Sequence, residues 1–217
     1  NETIELLFGL NHATNQQRQL LIEIKKPEYH WKHNKSISSI LLATLNAYDL
    51  IRKTDPIIIQ CFHIEELVYI RKQLDSQLRL FALLTENQYH ESSSDYDFYR
   101  SKEGIRNLSN FVQAVAPTHQ FVVNYDSNHE ILGPTQLTDW AHQNNLLVYP
   151  FTFRQYDVSR DKFQQLIEYF WHQVGIDGFI TDNPDIVFDL LYNCATSICT
   201  MSIVIIFSTI RILSFCF

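Results

Sequence analysis

Glycine is scarce in this chain, with five residues in 217. None opens a Gly-rich turn after an apolar run, which excludes the phosphate-cradling loop of nucleotide-binding open sheets. Basic charge is short as well. Seventeen Lys and Arg against 24 Asp and Glu leave a formal net charge of −7, the opposite of the basic footprint of a non-specific nucleic-acid binder. The four cysteines, Cys61, Cys194, Cys199 and Cys216, show no paired spacing of the zinc or disulfide kind, so they define no redox compartment. The opening "NETIELLFGL" has neither an initiator Met nor the basic-then-apolar pattern of a signal peptide, and it reads as the middle of something longer. There is no tandem repeat.

What is present is alternation. Apolar runs at 20–25, 57–62, 78–84, 112–117, 146–153 and 178–182 read as strands. Between them lie stretches with helical spacing. Ile37, Ile40, Leu41, Thr44, Leu45 and Tyr48 share one face of a helix over 36–53, for which Ser36 is the N-cap. Further helices follow around Leu67, Ile70 and Leu74, over 102–111, and over 135–144. The last of this series carries Phe163, Leu166, Ile167, Phe170, Trp171 and Val174 on one stripe, a core-facing surface and not a ligand box. Strands reached through helices imply a parallel sheet packed under helices. The fold class is therefore α/β, as a doubly wound sheet or a (β/α)8 TIM barrel. The lack of a Gly-rich loop favours the barrel, whose chemistry sits at the C-terminal ends of its strands. Six strands do not close one.

Polar residues gather at those strand ends. Glu23 and Lys25 in "LIEIKKPEYH" lie two apart, hence on one face of a strand that Pro27 ends. They read either as a structural ion pair or as a metal ligand beside a phosphate-binding cation. Gln60, Thr152, Arg154, Thr181 and Asp182 occupy similar places. His30 and His33 have an i, i+3 spacing, for which a solvated loop is a better reading than a metal pair. Cys61 reads as a buried thiol, because no base is placed to activate it. His63 is a weaker candidate for substrate contact, and Asp95, Tyr96 and Asp97 either line or merely solvate a loop.

Taken together, "GLNHAT", "IEIKKPEYH", "IIIQCFHIEEL", "DYDFY", "VAP", "LLVYPFTFR" and "GIDGFITDNPD" resemble, in order and in spacing, the motifs of the glycerophosphodiester phosphodiesterases. The likeness is nearest to the bacterial periplasmic-type branch and covers roughly 2–191. It implies a (β/α)8 TIM barrel of which this chain contains about the last six strands, as an incomplete barrel. It also implies hydrolysis of small glycerophosphodiesters, such as glycerophosphocholine, to glycerol 3-phosphate and an alcohol. A divalent cation, Ca²⁺ or Mg²⁺, is implied as cofactor, with no nucleic-acid partner. Carried over residue by residue, Glu23 matches a metal-ligating carboxylate and Lys25 the catalytic lysine that faces the phosphate. Gln60 and Phe62 match a Gln-x-Phe at the next strand end, and Phe151 an aromatic that shapes the glycerol pocket. Arg154 lies in a family motif on the substrate side.

The chain also departs from the family. It contains no His-Arg-Gly, no Glu-x-Asp and no His-Asp, the motifs that supply the catalytic histidines and two further metal carboxylates. One carboxylate does not hold a hard dication that takes about six to eight oxygen ligands, and the histidines would serve as acid and base. The expectation is that the chain as written is inactive. The alternatives are a non-catalytic half-barrel remnant or pseudoenzyme, and a phospholipase D-like relative on the same fold. Two regions are expected: a partial barrel over 1–191 and an apolar tail over 192–217. No charged residue occurs from 190 to 210, about the length that spans a bilayer, although several Ser and Thr weaken it as a membrane anchor. The family likeness further implies a secreted or periplasmic-like setting.

Overall fold

The structure, a computed structural model, describes residues 2–128 and 130–194. Seven strands occur among them: β1 Leu20–Ile24, β2 Ile57–Cys61, β3 Arg79–Leu84, β4 Ala114–Pro117, β5 Val123–Tyr125, β6 Ile131–Pro134 and β7 Leu147–Val148. Five form one sheet in the order β1-β2-β3-β4-β7, every pair parallel. β5 and β6 make a separate antiparallel hairpin.

Parallel strands need both faces covered, which is why β2 and β3 read as nearly unbroken apolar runs. Ile57, Ile59, Cys61, Leu80, Ala82, Leu84, Val115 and Val148 join the core beneath the helices. Ile58, Phe81, Leu83, Ala114, Ala116, Tyr149 and Ile180 form a second cluster on the opposite, inner face. Phe81 and Tyr149 stack there with centroids 4.9 Å apart. The arrangement is an α/β incomplete barrel.

The 178–182 segment departs from its expected form. It runs beside 147–153 through Asp177 N–H to Val148 O, Ile180 N–H to Pro150 O and Phe153 N–H to Ile180 O, at 3.0 Å each. Only an isolated bridge, Phe153 to Thr181, results. Pro150 has no amide to donate, which interrupts the ladder. Gly178 allows the close approach: a Cβ there would lie 2.5 Å from Tyr149 Cε1.

Nine helices accompany the strands among the described residues: α1 Glu2–Thr14, α2 Pro27–Lys32, α3 Ile37–Ala47, α4 Ile64–Lys72, α5 Tyr96–Tyr99, α6 Lys102–Leu108, α7 Leu137–Gln143, α8 Arg160–Tyr169 and α9 Pro184–Cys194. Ser36 caps α3 as expected, its hydroxyl accepting the Ser39 N–H at 3.2 Å. α3 ends at Ala47 and not near 53, because Asp49 turns left-handed at φ 56°. The predicted stripe on α8 and the turn after it is the buried one: Phe163, Ile167, Phe170 and Val174 all face the core. "PEYHWK" is the helix α2 where a loop was expected; Pro27 suits a first helical turn because its missing N–H is not needed there. No helix among the described residues is long and apolar enough to cross a membrane. The expected tail lies, from 195 onward, outside the described residues, as do Cys199 and Cys216.

Candidate functional site

The C-terminal ends of β1 and β2 bring three of the predicted residues together. Glu23 sits opposite Gln60 in the β1–β2 register, and Gln60 opposite Phe81 in the next pair. Lys25 Nζ donates to Glu23 Oε1 at 2.8 Å. The lysine side chain is 68 % exposed and the glutamate 24 %, so the pair is an open ion pair on an edge strand. Gln60 differs: it is 5 % exposed, and its Oε1 is buried without a hydrogen-bond partner among the described residues. A buried amide oxygen left unpaired costs about 1–3 kcal/mol, so the site carries an acceptor with nothing to accept.

Phe62 and Phe151 form the aromatic side. Their rings meet edge-on at 5.7 Å, and both pack against the inner-face cluster. Phe62 is held from behind, its ring edge-on to Tyr96 at 6.4 Å. Its carbonyl accepts from Tyr96 Oη at 3.2 Å and Ser92 Oγ at 3.3 Å. Burial pushes the Tyr96 phenol up to about 12, so it stays a neutral donor. Arg154 is engaged elsewhere, its Nε donating to Asp182 Oδ2 at 2.9 Å, with Tyr156 Oη 3.5 Å from the same oxygen.

Several other candidates turn out to be architectural. His63 is 3 % exposed and caps α4, its Nδ1 accepting the Glu66 N–H at 3.2 Å. Its Nε2 lies 3.3 Å from Glu28 Oε1 and 3.6 Å from Glu65 Oε2, and Trp31 meets the ring edge-on. The imidazole thus ties α2 to α4. His30 lies within α2 and His33 caps its end, with His33 Nδ1 2.7 Å from Tyr29 O. Asp95 caps α5, and the Asn87 amide donates to both Asp95 and Asp97. That hydrogen bond is the main reason the Asp95 carboxyl sits below its ordinary range. Cys61 is fully buried and donates to Ile24 O at 3.2 Å. Burial drives its thiol far above the usual range, so it is inert.

These residues do not by themselves make a site for the implied dication. Among the described residues no three His, Cys, Asp or Glu side chains cluster as a metal site. Glu23 alone supplies one carboxylate, already paired with an ammonium.

A family model described as the glycerophosphoryl diester phosphodiesterase family matches residues 3–186. A glycerophosphodiester phosphodiesterase of Haemophilus influenzae is 26 % identical over 202 residues, covering 85 % of this chain and 55 % of that protein. The Arabidopsis thaliana glycerophosphodiester phosphodiesterase GDPD6 is 27 % identical over 185 residues, covering 74 % and 47 %. A crystal structure from Silicibacter pomeroyi DSS-3, assigned to the same family, superposes with a TM-score of 0.64 at 20 % identity, over 90 % of this chain and 57 % of that one. At that identity the likeness bears on fold alone. The chain spans about half the length of the relatives it matches.

Proposed function

The chain belongs to the glycerophosphoryl diester phosphodiesterase family, and from that premise we propose that it is the substrate-facing part of a glycerophosphodiester hydrolase. The reaction adds water across a phosphorus–oxygen bond of a small diester such as glycerophosphocholine. It releases the alcohol and leaves glycerol 3-phosphate. The observation that carries the reading is the orphaned Gln60 Oε1 beside the Glu23–Lys25 pair. An unpaired acceptor at the strand end, beside Glu23 in the register, suits a glycerol hydroxyl, which would restore the missing hydrogen bond on binding. Lys25 supplies an ammonium for a phosphoryl oxygen, reachable because its side chain is mostly exposed. The Phe62–Phe151 edge offers an apolar wall for the carbon skeleton. Arg154 has a second-rank part, holding Asp182 at the rim.

The same geometry argues that these residues bind without turning over. Among the described residues, His63 is committed to α4, and Glu23, the carboxylate beside Gln60, does not by itself make a dication site. A non-catalytic half-barrel is the second reading, favoured by the Glu23 carboxylate being spent on Lys25. By the family argument we also assign a secreted or periplasmic-like setting, with any membrane contact made through 190–210.

The test is calorimetric titration of the purified full chain with glycerol 3-phosphate, beside an assay of glycerophosphocholine with Ca²⁺ or Mg²⁺. We expect binding without release of product. Lys25→Met should weaken binding by about tenfold or more, the loss of a charge-assisted contact. Absence of binding, or indifference to Lys25→Met, overturns the proposed site. Product release overturns the proposed inactivity.

A further inference from the structure

The segment that follows β1 carries charge against the trend of the chain. Residues 25–35, "KKPEYHWKHNK", hold four lysines against one glutamate, a net of +3 with His neutral, in a chain of net charge −7. Lys25, Lys26, Lys32 and Lys35 are all exposed. Lys25 is paired with Glu23. Lys26, Lys32 and Lys35 form no ion pair among the described residues. The turn after α2 keeps Lys35 beside the helix, its amide donating to His30 O at 2.9 Å.

α2 divides into two sides. Glu28 and Trp31, three residues apart, face inward. Glu28 Oε1 lies 3.3 Å from His63 Nε2 and accepts from Ser93 Oγ, while Trp31 meets the His63 and Tyr69 rings edge-on. The one acidic residue of the segment is thus spent within the fold. Tyr29, Lys32 and His33, three and four residues apart, share the other side, where the Tyr29 and His33 rings lie 4.4 Å apart. Tyr29 is 57 % exposed. This outer side therefore joins an aromatic ring left largely in water to ammonium groups that no carboxylate answers.

We propose that the outer side of α2, with Lys26 and Lys35 at its two ends, docks onto a bilayer surface containing anionic phospholipid. Charge complementarity selects an anionic partner. The ring and the lysines together select the bilayer. A tyrosine settles at the boundary between head groups and acyl chains with its hydroxyl in water, while neighbouring lysines meet the negative lipid head groups. An acidic polypeptide would answer the lysines but give the exposed ring no apolar layer. The contact uses different residues from the one through 190–210 and adds to it. Because Lys25 and Lys26 join β1 directly to α2, docking sets the strand end that carries Glu23 beside the lipid surface.

The experiment sediments the purified full chain with vesicles of phosphatidylcholine alone, and with vesicles in which a third of the lipid is phosphatidylglycerol. The expected result is binding about tenfold tighter or more to the anionic vesicles, since each lysine near such a surface is worth about fivefold. That preference should fade as salt rises. Lys26→Gln, Lys32→Gln and Lys35→Gln combined should weaken binding to the anionic vesicles by about tenfold or more. Tyr29→Ser should weaken it as well. An unchanged far-ultraviolet dichroism spectrum establishes that the variants are folded; were they not, the wild-type preference and its loss in salt decide alone. Equal binding to both vesicles, or anionic binding indifferent to the folded triple variant, overturns the proposal. Indifference to Tyr29→Ser overturns it too, a contact through charge alone being what an acidic polypeptide would make.

Discussion

Glu66 shows how a single residue can work against the fold that contains it. It lies fully buried on α4, with the Ser38 hydroxyl donating to Oε1 and with Oε2 unpartnered among the described residues. Burial raises its pKa, and the Ser38 hydrogen bond only partly opposes that. Because the folded value lies above the unfolded one, this carboxyl's contribution is intact below the ordinary glutamate range. It is lost as pH rises from there through the folded value. Glu66→Gln should therefore stabilise the protein at pH 7, by on the order of 1 kcal/mol, with the advantage vanishing below about pH 4. Urea midpoints across that range check it. Lys25→Met is the contrast at this scale. With its side chain mostly in water, it should shift stability by less than about 0.5 kcal/mol while reducing glycerol 3-phosphate binding.

Among the elements, α8 was legible because Phe163, Ile167, Phe170 and Val174 recur at helical spacing, and that spacing alone places them on one buried face. Phe163→Ala should cost about 3–5 kcal/mol, read as a lowered melting temperature. The 178–182 segment misled for the converse reason. Its apolar residues suit a strand, but Pro150 and the approach of Gly178 to Tyr149 are properties of the neighbour. Gly178→Ala should push the Tyr149 ring off Phe81 and cost about 1–3 kcal/mol, with near-ultraviolet dichroism reporting the disturbed stack. The β5–β6 hairpin escaped notice because its strands are three and four residues long, too short for an alternation to stand out. α2 did so because one short turn after a proline carries no periodicity.

For the whole molecule, the decisive feature among the described residues is a parallel sheet whose order begins at β1, with a strand-end site where no three His, Cys, Asp or Glu side chains cluster. Anything that binds only the folded state raises its melting temperature. Millimolar Ca²⁺ or Mg²⁺ should accordingly move the melting temperature of the chain alone by less than about 1 °C, the shift expected when the added ion occupies no specific site. A dose-dependent rise measured by scanning calorimetry would mean that ligands beyond Glu23 hold the ion.

From the order of residues alone came the alternation of strand and helix, the parallel α/β class, the Ser36 cap, the α8 stripe and the family motifs. All of these are written in local spacing or in stretches read along the chain. Three-dimensional contact alone decided which candidates meet. Glu23, Lys25 and Gln60 converge because β1 and β2 pair in one register, and Phe62 finds Phe151 across the sheet end. His63 turns into α4 and Cys61 into the core. Periodicity fixes the side of an element on which a residue lies; register and crossover fix what stands opposite, and those depend on residues far away in the chain.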